Sequence, residues 1–253
     1  MQDGAGIACR RAGRGAPVLM LHSLFFDGTM FDAVMPQGYD IIRPDHRGQG
    51  QSSLGDARPT AERLAADMDT LLDALKIRCP VHVVGSSMGA YVALEMLAAN
   101  PGRVASLTLS CCTCRAEPEP GRFAKLADRI AAAQGRGLGA EIAALMFAEG
   151  FRGSARSRWQ AHFDALPPAT PQVVRAIFAH RGWVELIRGW GGPILAISGA
   201  RDRAKSPADL AWIADERLGR HIVIPEAGHS PAVETTAAFA ATLHPFLAEK
   251  ANA

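Results

Sequence analysis

The sequence has no apolar run long enough to cross a bilayer. Its longest, such as 18–21 and 142–148, fall far short of the roughly 20 residues that a spanning helix needs. It also has almost no charge imbalance: 27 Lys and Arg face 25 Asp and Glu, a net of +2. That is too little to hold nucleic acid or an anionic membrane by bulk electrostatics. Aromatic residues make up only 6% of the chain, which argues against a surface for stacking bases. An acidic residue, Asp3, stands where a secretory leader carries positive charge, and no apolar leader core follows it. The five cysteines are odd in number, and Cys111-Cys112-Thr113-Cys114 has no second ligand cluster at zinc-site spacing. Buried, reduced thiols at a strand end are expected, in a cytoplasmic protein. No nucleic-acid or membrane partner is expected, and nothing in the sequence sets an oligomeric state.

What is present is an alternation of short apolar runs with helical patterns. Runs at 17–21, 39–42, 80–84, 104–109, 194–197 and 221–224 are nearly continuous in apolar residues. This suits central strands of a parallel sheet covered on both faces. Thr60 precedes Leu64, Met68, Leu71, Leu72 and Leu75 at helical spacing, and further helices are expected at 88–99, 208–218 and 235–248. The pattern predicts an α/β protein with a mostly parallel, doubly wound sheet. From 113 to 190 the rhythm fails: no strand is evident, and glycines and the Pro167-Pro168 pair punctuate helix-like stretches. This predicts a helical lid (113–190) inserted into a core domain made of 1–112 and 191–253.

The motif that carries chemistry is Gly85-Ser86-Ser87-Met88-Gly89, directly after one expected strand and directly before an expected helix. That context is what a nucleophile elbow requires. Only Ser87 has glycine at both −2 and +2, which makes it, and not Ser86, the candidate nucleophile. A serine hydroxyl needs a base to take its proton and a carboxylate to orient that base. In chain order the acid follows the nucleophile and the histidine comes last. Asp202 and His229 both follow expected strands, so both reach the sheet edge where Ser87 is expected. Glu226 and Glu234 are rivals for the acid, whereas 110–114 offers no carboxylate. His82, His162, His180 and His244 read as packed or exposed histidines. Two backbone donors for an oxyanion are expected, Met88 N–H and Leu24 N–H, with Ser23 as the fallback.

With these residues in place, the chain resembles the α/β-hydrolase fold superfamily across essentially its whole length. The resemblance rests on Leu21-His22-Ser23-Leu24, Asp45-His46-Arg47-Gly48-Gln49-Gly50-Gln51-Ser52, the Ser87 elbow, Asp202 and Gly228-His229. The Asp45 turn is similar to a D-x-R-G-x-G-x-S turn that is structural in that family. Within it the chain is most similar to the 3-oxoadipate enol-lactonase-like branch, through Ser23-Leu24, Ser86-Ser87-Met88-Gly89 and Leu107-Thr108-Leu109-Ser110-Cys111. It departs from that branch at His22 (commonly Asn), at Phe25-Phe26 (usually Gly-Thr) and at Ala90 (usually glycine).

The resemblance implies a serine hydrolase of esters or lactones that works through an acyl-enzyme, with no metal and no organic cofactor. The expected partner is a small-molecule ester or lactone substrate. C–C bond hydrolysis, perhydrolysis, thioester cleavage and a receptor retaining the fold remain alternatives. His22, Ser23, Phe25, Trp159, Phe163 and Trp183 are the candidates for contact with substrate. Eleven basic residues face seven acidic ones between Cys111 and Trp190, so the insertion carries about +4. A carboxylate-bearing substrate would be attracted to it; solvated helix faces are the plainer explanation.

Overall fold

A computed structural model describes residues 1, 3–117 and 120–251, without the side chains of 120, 122, 250 and 251. Seven strands form one sheet: β1 (Cys9–Gly13), β2 (Ala16–Leu21), β3 (Tyr39–Pro44), β4 (Val81–Ser86), β5 (Val104–Ser110), β6 (Ile194–Gly199) and β7 (Arg220–Ile224). Their spatial order is β1-β3-β2-β4-β5-β6-β7. Only the β1–β3 pair is antiparallel; every other pairing is parallel. The apolar runs are buried because helices cover both faces of the sheet. Val18, Leu19, Val83, Val84, Leu107 and Leu109 are fully enclosed. The two edge strands are exceptions: β7 leaves Ile222 and Val223 exposed, and β1, with sequence Cys-Arg-Arg-Ala-Gly, is a half-exposed strand that lacks the apolar run and was not expected.

The helices are α1 (Ala61–Ala74), α2 (Met88–Ala99), α3 (Pro120–Ala132), α4 (Gly139–Met146), α5 (Ser154–Phe163), α6 (Thr170–Ile177), α7 (Val184–Gly189), α8 (Ala208–Asp215), α9 (Pro231–Glu234) and α10 (Thr236–Ala251). Thr60 caps α1, its Oγ1 accepting the Arg63 N–H at 3.2 Å. Five helices, α3 to α7, lie between β5 and β6, and no strand occurs there among the described residues. The last expected helix is α10, which begins at Thr236 and accommodates Pro245; the short α9 that precedes it was not expected.

The turn after β3 is held by buried charge. Asp45 accepts the Gly28 and Gln51 N–H groups and the Arg10 guanidinium. The Arg47 side chain, fully enclosed, forks onto Asp67 of α1 at 2.7 Å to both oxygens and reaches Asp3 at 2.6 Å. A guanidinium so enclosed is tolerated only because carboxylates and the Leu54 carbonyl saturate it. The turn is thereby fixed as a rigid support for what its next residues touch.

All eight histidines are buried or half-buried, and six of them resist protonation: His22, His46, His82, His162, His180 and His221. Burial holds each below its ordinary value near 6.5, with His180 down to about 4. In the unfolded chain these rings take up protons near pH 6.5, which the folded sites resist. The unfolded state therefore binds more protons, and stability falls as the pH drops through that range. Burial raises Asp69, Glu95 and Glu234, which act in the opposite sense, but from the lower carboxylate range upward. Tm in scanning calorimetry is expected to be lower at pH 5.5 than at pH 7.5 by about 4 °C or more, a loss of 1–2 kcal/mol. A Tm that is equal or higher at pH 5.5 would contradict this balance.

Candidate active site

Ser87 sits between β4 and α2 with φ 49° and ψ −109°, a backbone conformation that costs a non-glycine residue of order 1–2 kcal/mol. Its N–H is anchored to the Ser110 carbonyl at 2.8 Å. The flanking glycines are there for space. A Cβ on Gly85 would lie 2.5 Å from the Gly89 carbonyl oxygen and 2.6 Å from the Ala90 nitrogen. A Cβ on Gly89 would lie 2.1 Å from the Leu21 carbonyl oxygen, at the end of β2. Gly89 thus lets the loop after β2 approach the elbow.

Three strand ends bring the polar groups together. His229 Nε2 lies 2.9 Å from Ser87 Oγ, and His229 Nδ1 lies 2.8 Å from Asp202 Oδ2. The other carboxylate oxygen, Oδ1, accepts the Ala204 and Lys205 N–H groups at 2.7 and 3.0 Å. With both its oxygens engaged as acceptors, Asp202 fixes the imidazole as the Nδ1–H tautomer, which leaves Nε2 free to accept the serine proton. The rivals for the acid have other tasks. Glu226 pairs with Arg201 at the surface. Glu234 is half-buried, and its carboxylate oxygens accept the N–H groups of Gly228 and Ser230, on either side of His229, and of Ala148 in the insertion.

The Leu24 and Met88 N–H groups have no acceptor among the described residues, and Leu24 lines the same cavity as Ser87 and His229. Phe25 N–H, by contrast, is taken by Gln49 Oε1 at 3.0 Å, and Gln49 Nε2 lies 3.4 Å from Met88 Sδ. One buried amide from the Asp45 turn therefore touches both segments that carry the free donors. Phe25 has φ 74°, a backbone conformation that favours glycine. The ring is kept in spite of a strain of order 1–2 kcal/mol.

Of the residues expected to touch substrate, Phe25 lines the cavity, and the others do not. His22 is fully buried, its Nδ1 2.8 Å from the Ser23 carbonyl oxygen and its Nε2 accepting the His46 N–H at 2.9 Å. It braces the loop from behind, and Ser23 is enclosed with it. Trp159 and Phe163 pack on Phe26, with ring centroids 4.5 and 5.0 Å away. Trp183 stacks on His180 and donates its Nε1–H to buried Glu95 at 2.6 Å. These aromatics bind the insertion to the core, because large apolar rings are most stable where they are most enclosed. The cavity walls come instead from Phe123 and Leu126 of α3, Leu145 and Met146 of α4, and Phe178 after α6. Amphipathic spacing marks these as inward-facing without separating cavity wall from core. Ala204 and Lys205 complete the lining; the Lys205 ammonium is bonded to buried Glu117 at 3.1 Å.

Among the arginines of the insertion whose side chains are described, none lines this cavity. Arg129, Arg175 and Arg188 pair with Glu141, Asp128 and Glu216 on exposed surfaces; the Arg122 side chain and Glu119 are not described. Cys111, Cys112 and Cys114 are free and buried. Cys111 Sγ, an Asp202 oxygen and a His229 nitrogen lie within 4.8 Å of one another. Burial and the Asp202 charge push the Cys111 thiol well up, however, and a metal ligand must be a thiolate. The cluster is a poor fit for a metal ion.

A nucleophile elbow on a mostly parallel sheet, with a histidine and a carboxylate from later strand ends, defines the α/β-hydrolase class. The model of the alpha/beta hydrolase fold family matches residues 16–235, and the chain belongs to that family. The chain is 30% identical to a pimeloyl-[acyl-carrier protein] methyl ester esterase of Methylococcus capsulatus, over 96% of this chain and 99% of that protein. A thermophilic esterase from Thermogutta terrifontis superposes with TM-score 0.90 at 25% identity, over 96% of this chain and 93% of the other. An enol-lactonase from Burkholderia xenovorans LB400 shares the fold with TM-score 0.87 at 22% identity, over 97% and 98% of the two chains. No described helix is long and apolar enough to cross a membrane.

Replacing Gly89 by Ala forces the elbow away from the Leu21 carbonyl and displaces the loop that holds Leu24. We expect Gly89→Ala to lose 2 kcal/mol or more of stability, measured by urea unfolding. A Gly89→Ala protein as stable as the parent would show that this close approach is not required.

Proposed function

We propose that the protein is a hydrolase of small carboxylic esters or lactones, with Ser87 as nucleophile, His229 as base and Asp202 as the orienting acid. The observation that carries this reading is the unbroken Ser87–His229–Asp202 hydrogen-bond line, with steps of 2.9 and 2.8 Å, opening on an apolar cavity. Full-length similarity to an ester hydrolase of Methylococcus capsulatus and to the Thermogutta terrifontis esterase supports it. We read 113–190 as a cap over this site, since Phe123, Leu126, Leu145, Met146 and Phe178 of this segment line the cavity.

In the first step Ser87 Oγ attacks the carbonyl carbon as His229 Nε2 takes its proton. The carbonyl oxygen becomes an oxyanion that accepts the Leu24 and Met88 N–H groups. The Asp202 carboxylate stabilises the imidazolium. His229 then returns the proton to the leaving alkoxide, the C–O bond breaks, and an acyl-enzyme remains on Ser87. In the second step a water gives its proton to His229 and attacks the same carbon; the acid leaves and the Ser87 hydroxyl is restored. With a lactone the alkoxide stays tethered, so water must attack before the ring recloses. His22 acts only through the Ser23–Leu24 loop; its neutral ring, bonded on both sides, fits a supporting task and not proton transfer.

Purified protein is expected to hydrolyse p-nitrophenyl acetate. Ser87→Ala is expected to lose about 10³-fold or more in kcat with unchanged circular dichroism, and Asp202→Asn roughly 10³–10⁴-fold. Turnover by folded Ser87→Ala at the parent rate would refute the assignment.

A further inference from the structure

The cavity over Ser87 is small. It holds about 40 Å³, room for a few water-sized groups. Beside it lies a wider cleft of about 320 Å³, whose rim includes exposed Glu141, Ala144 and Arg203. The two spaces share three residues as walls: Phe25 from the loop after β2, Leu126 from α3 and Leu145 from α4. Phe25 is the one of the three that also belongs to the loop carrying a free N–H donor. Its left-handed backbone would suit glycine, so the ring is retained at a conformational cost. Such a cost persists where the side chain has a task. The partition is made of side chains with rotatable tips, whereas the floor of the inner cavity is fixed by the strand ends and the hydrogen-bonded triad.

We propose that Phe25, Leu126 and Leu145 form a gate through which an ester reaches Ser87 from the outer cleft, and that the Phe25 ring limits the length of the acyl group admitted. This rests on the esterase reading above and narrows it to short-chain esters. An acetyl or butyryl group fits the inner cavity or displaces the gate slightly. A longer chain must run past Phe25 into the outer cleft, and the Phe25, Leu126 and Leu145 side chains between the two spaces oppose that.

The test compares p-nitrophenyl acetate, butyrate and octanoate as substrates of the parent protein, Phe25→Ala, Leu126→Ala and Ala144→Trp. The parent is expected to lose at least tenfold in kcat/KM from butyrate to octanoate. Phe25→Ala and Leu126→Ala are expected to shrink that ratio at least tenfold, because each joins the two spaces. Ala144→Trp, which fills the outer cleft away from Ser87, is expected to lower kcat/KM for butyrate at least fivefold. Leu126→Ala decides the matter if loss of the Phe25 ring unfolds the loop. An octanoate-to-butyrate ratio that stays at the parent value in the widened variant, or parent-like kinetics in Ala144→Trp, overturns the gate while leaving the esterase reading intact. Absence of any Ser87-dependent turnover in the parent overturns both.

Discussion

The left-handed turn at Ser87 is the constraint around which the rest of the site is arranged. A serine at φ 49° is unfavourable in isolation, and it persists because the chain on both sides is over-determined. On one side β4 lies at the centre of the sheet, paired with β2 and β5; on the other, α2 begins at once. The same turn directs the serine side chain out of the sheet edge and presents the Met88 N–H beside it. It also demands that β2 end almost in contact with Gly89, which brings the Leu24 loop to the nucleophile. Ser87, the free Met88 N–H and the approach of the Leu24 N–H thus depend on one backbone conformation.

Two side chains outside the proposed triad, buried Gln49 and half-buried Glu234, extend this arrangement. Gln49 joins the Phe25 backbone to the Met88 side chain, so the turn anchored by Arg47 and Asp67 also steadies the region around the free donors. Glu234 does the corresponding work for His229, bonding the backbone on both sides of it and the insertion at Ala148. The insertion is therefore tied to the histidine loop itself as well as resting on the core through its aromatic rings.

Much of the sheet was legible in the sequence, because central parallel strands must be apolar throughout and appear as continuous runs. The edge strand β1 was not, since a half-exposed strand carries no such run and its pairing with β3 is set by tertiary contact. The approach of Ser87, Asp202 and His229 to one another was legible because each follows an expected strand and reaches the same sheet edge. Trp159, Phe163 and Trp183 misled for a physical reason: size and apolarity mark a residue for burial but do not say whether it faces a cavity or a neighbouring helix. Gln49 and Glu234 gave no local signal. Each acts on backbone groups that only the folded chain brings to it, 24 residues away for Gln49 and 86 for the Glu234 contact with Ala148.

The 142 residues that separate Ser87 from His229 also bear on how the chain reaches its native state. Between them lie the whole helical insertion and the pairing of β5 with β6, a contact that closes a long loop of chain. Loop closure of that span is entropically unfavourable until sheet and insertion pack together. The Ser87 turn is built from neighbouring segments, whereas Asp202 and His229 reach it only through the C-terminal strands. The proposed triad therefore depends on the most distant strand pairing in the sheet, and recovered activity would report completion of the sheet where helix content or compactness would not.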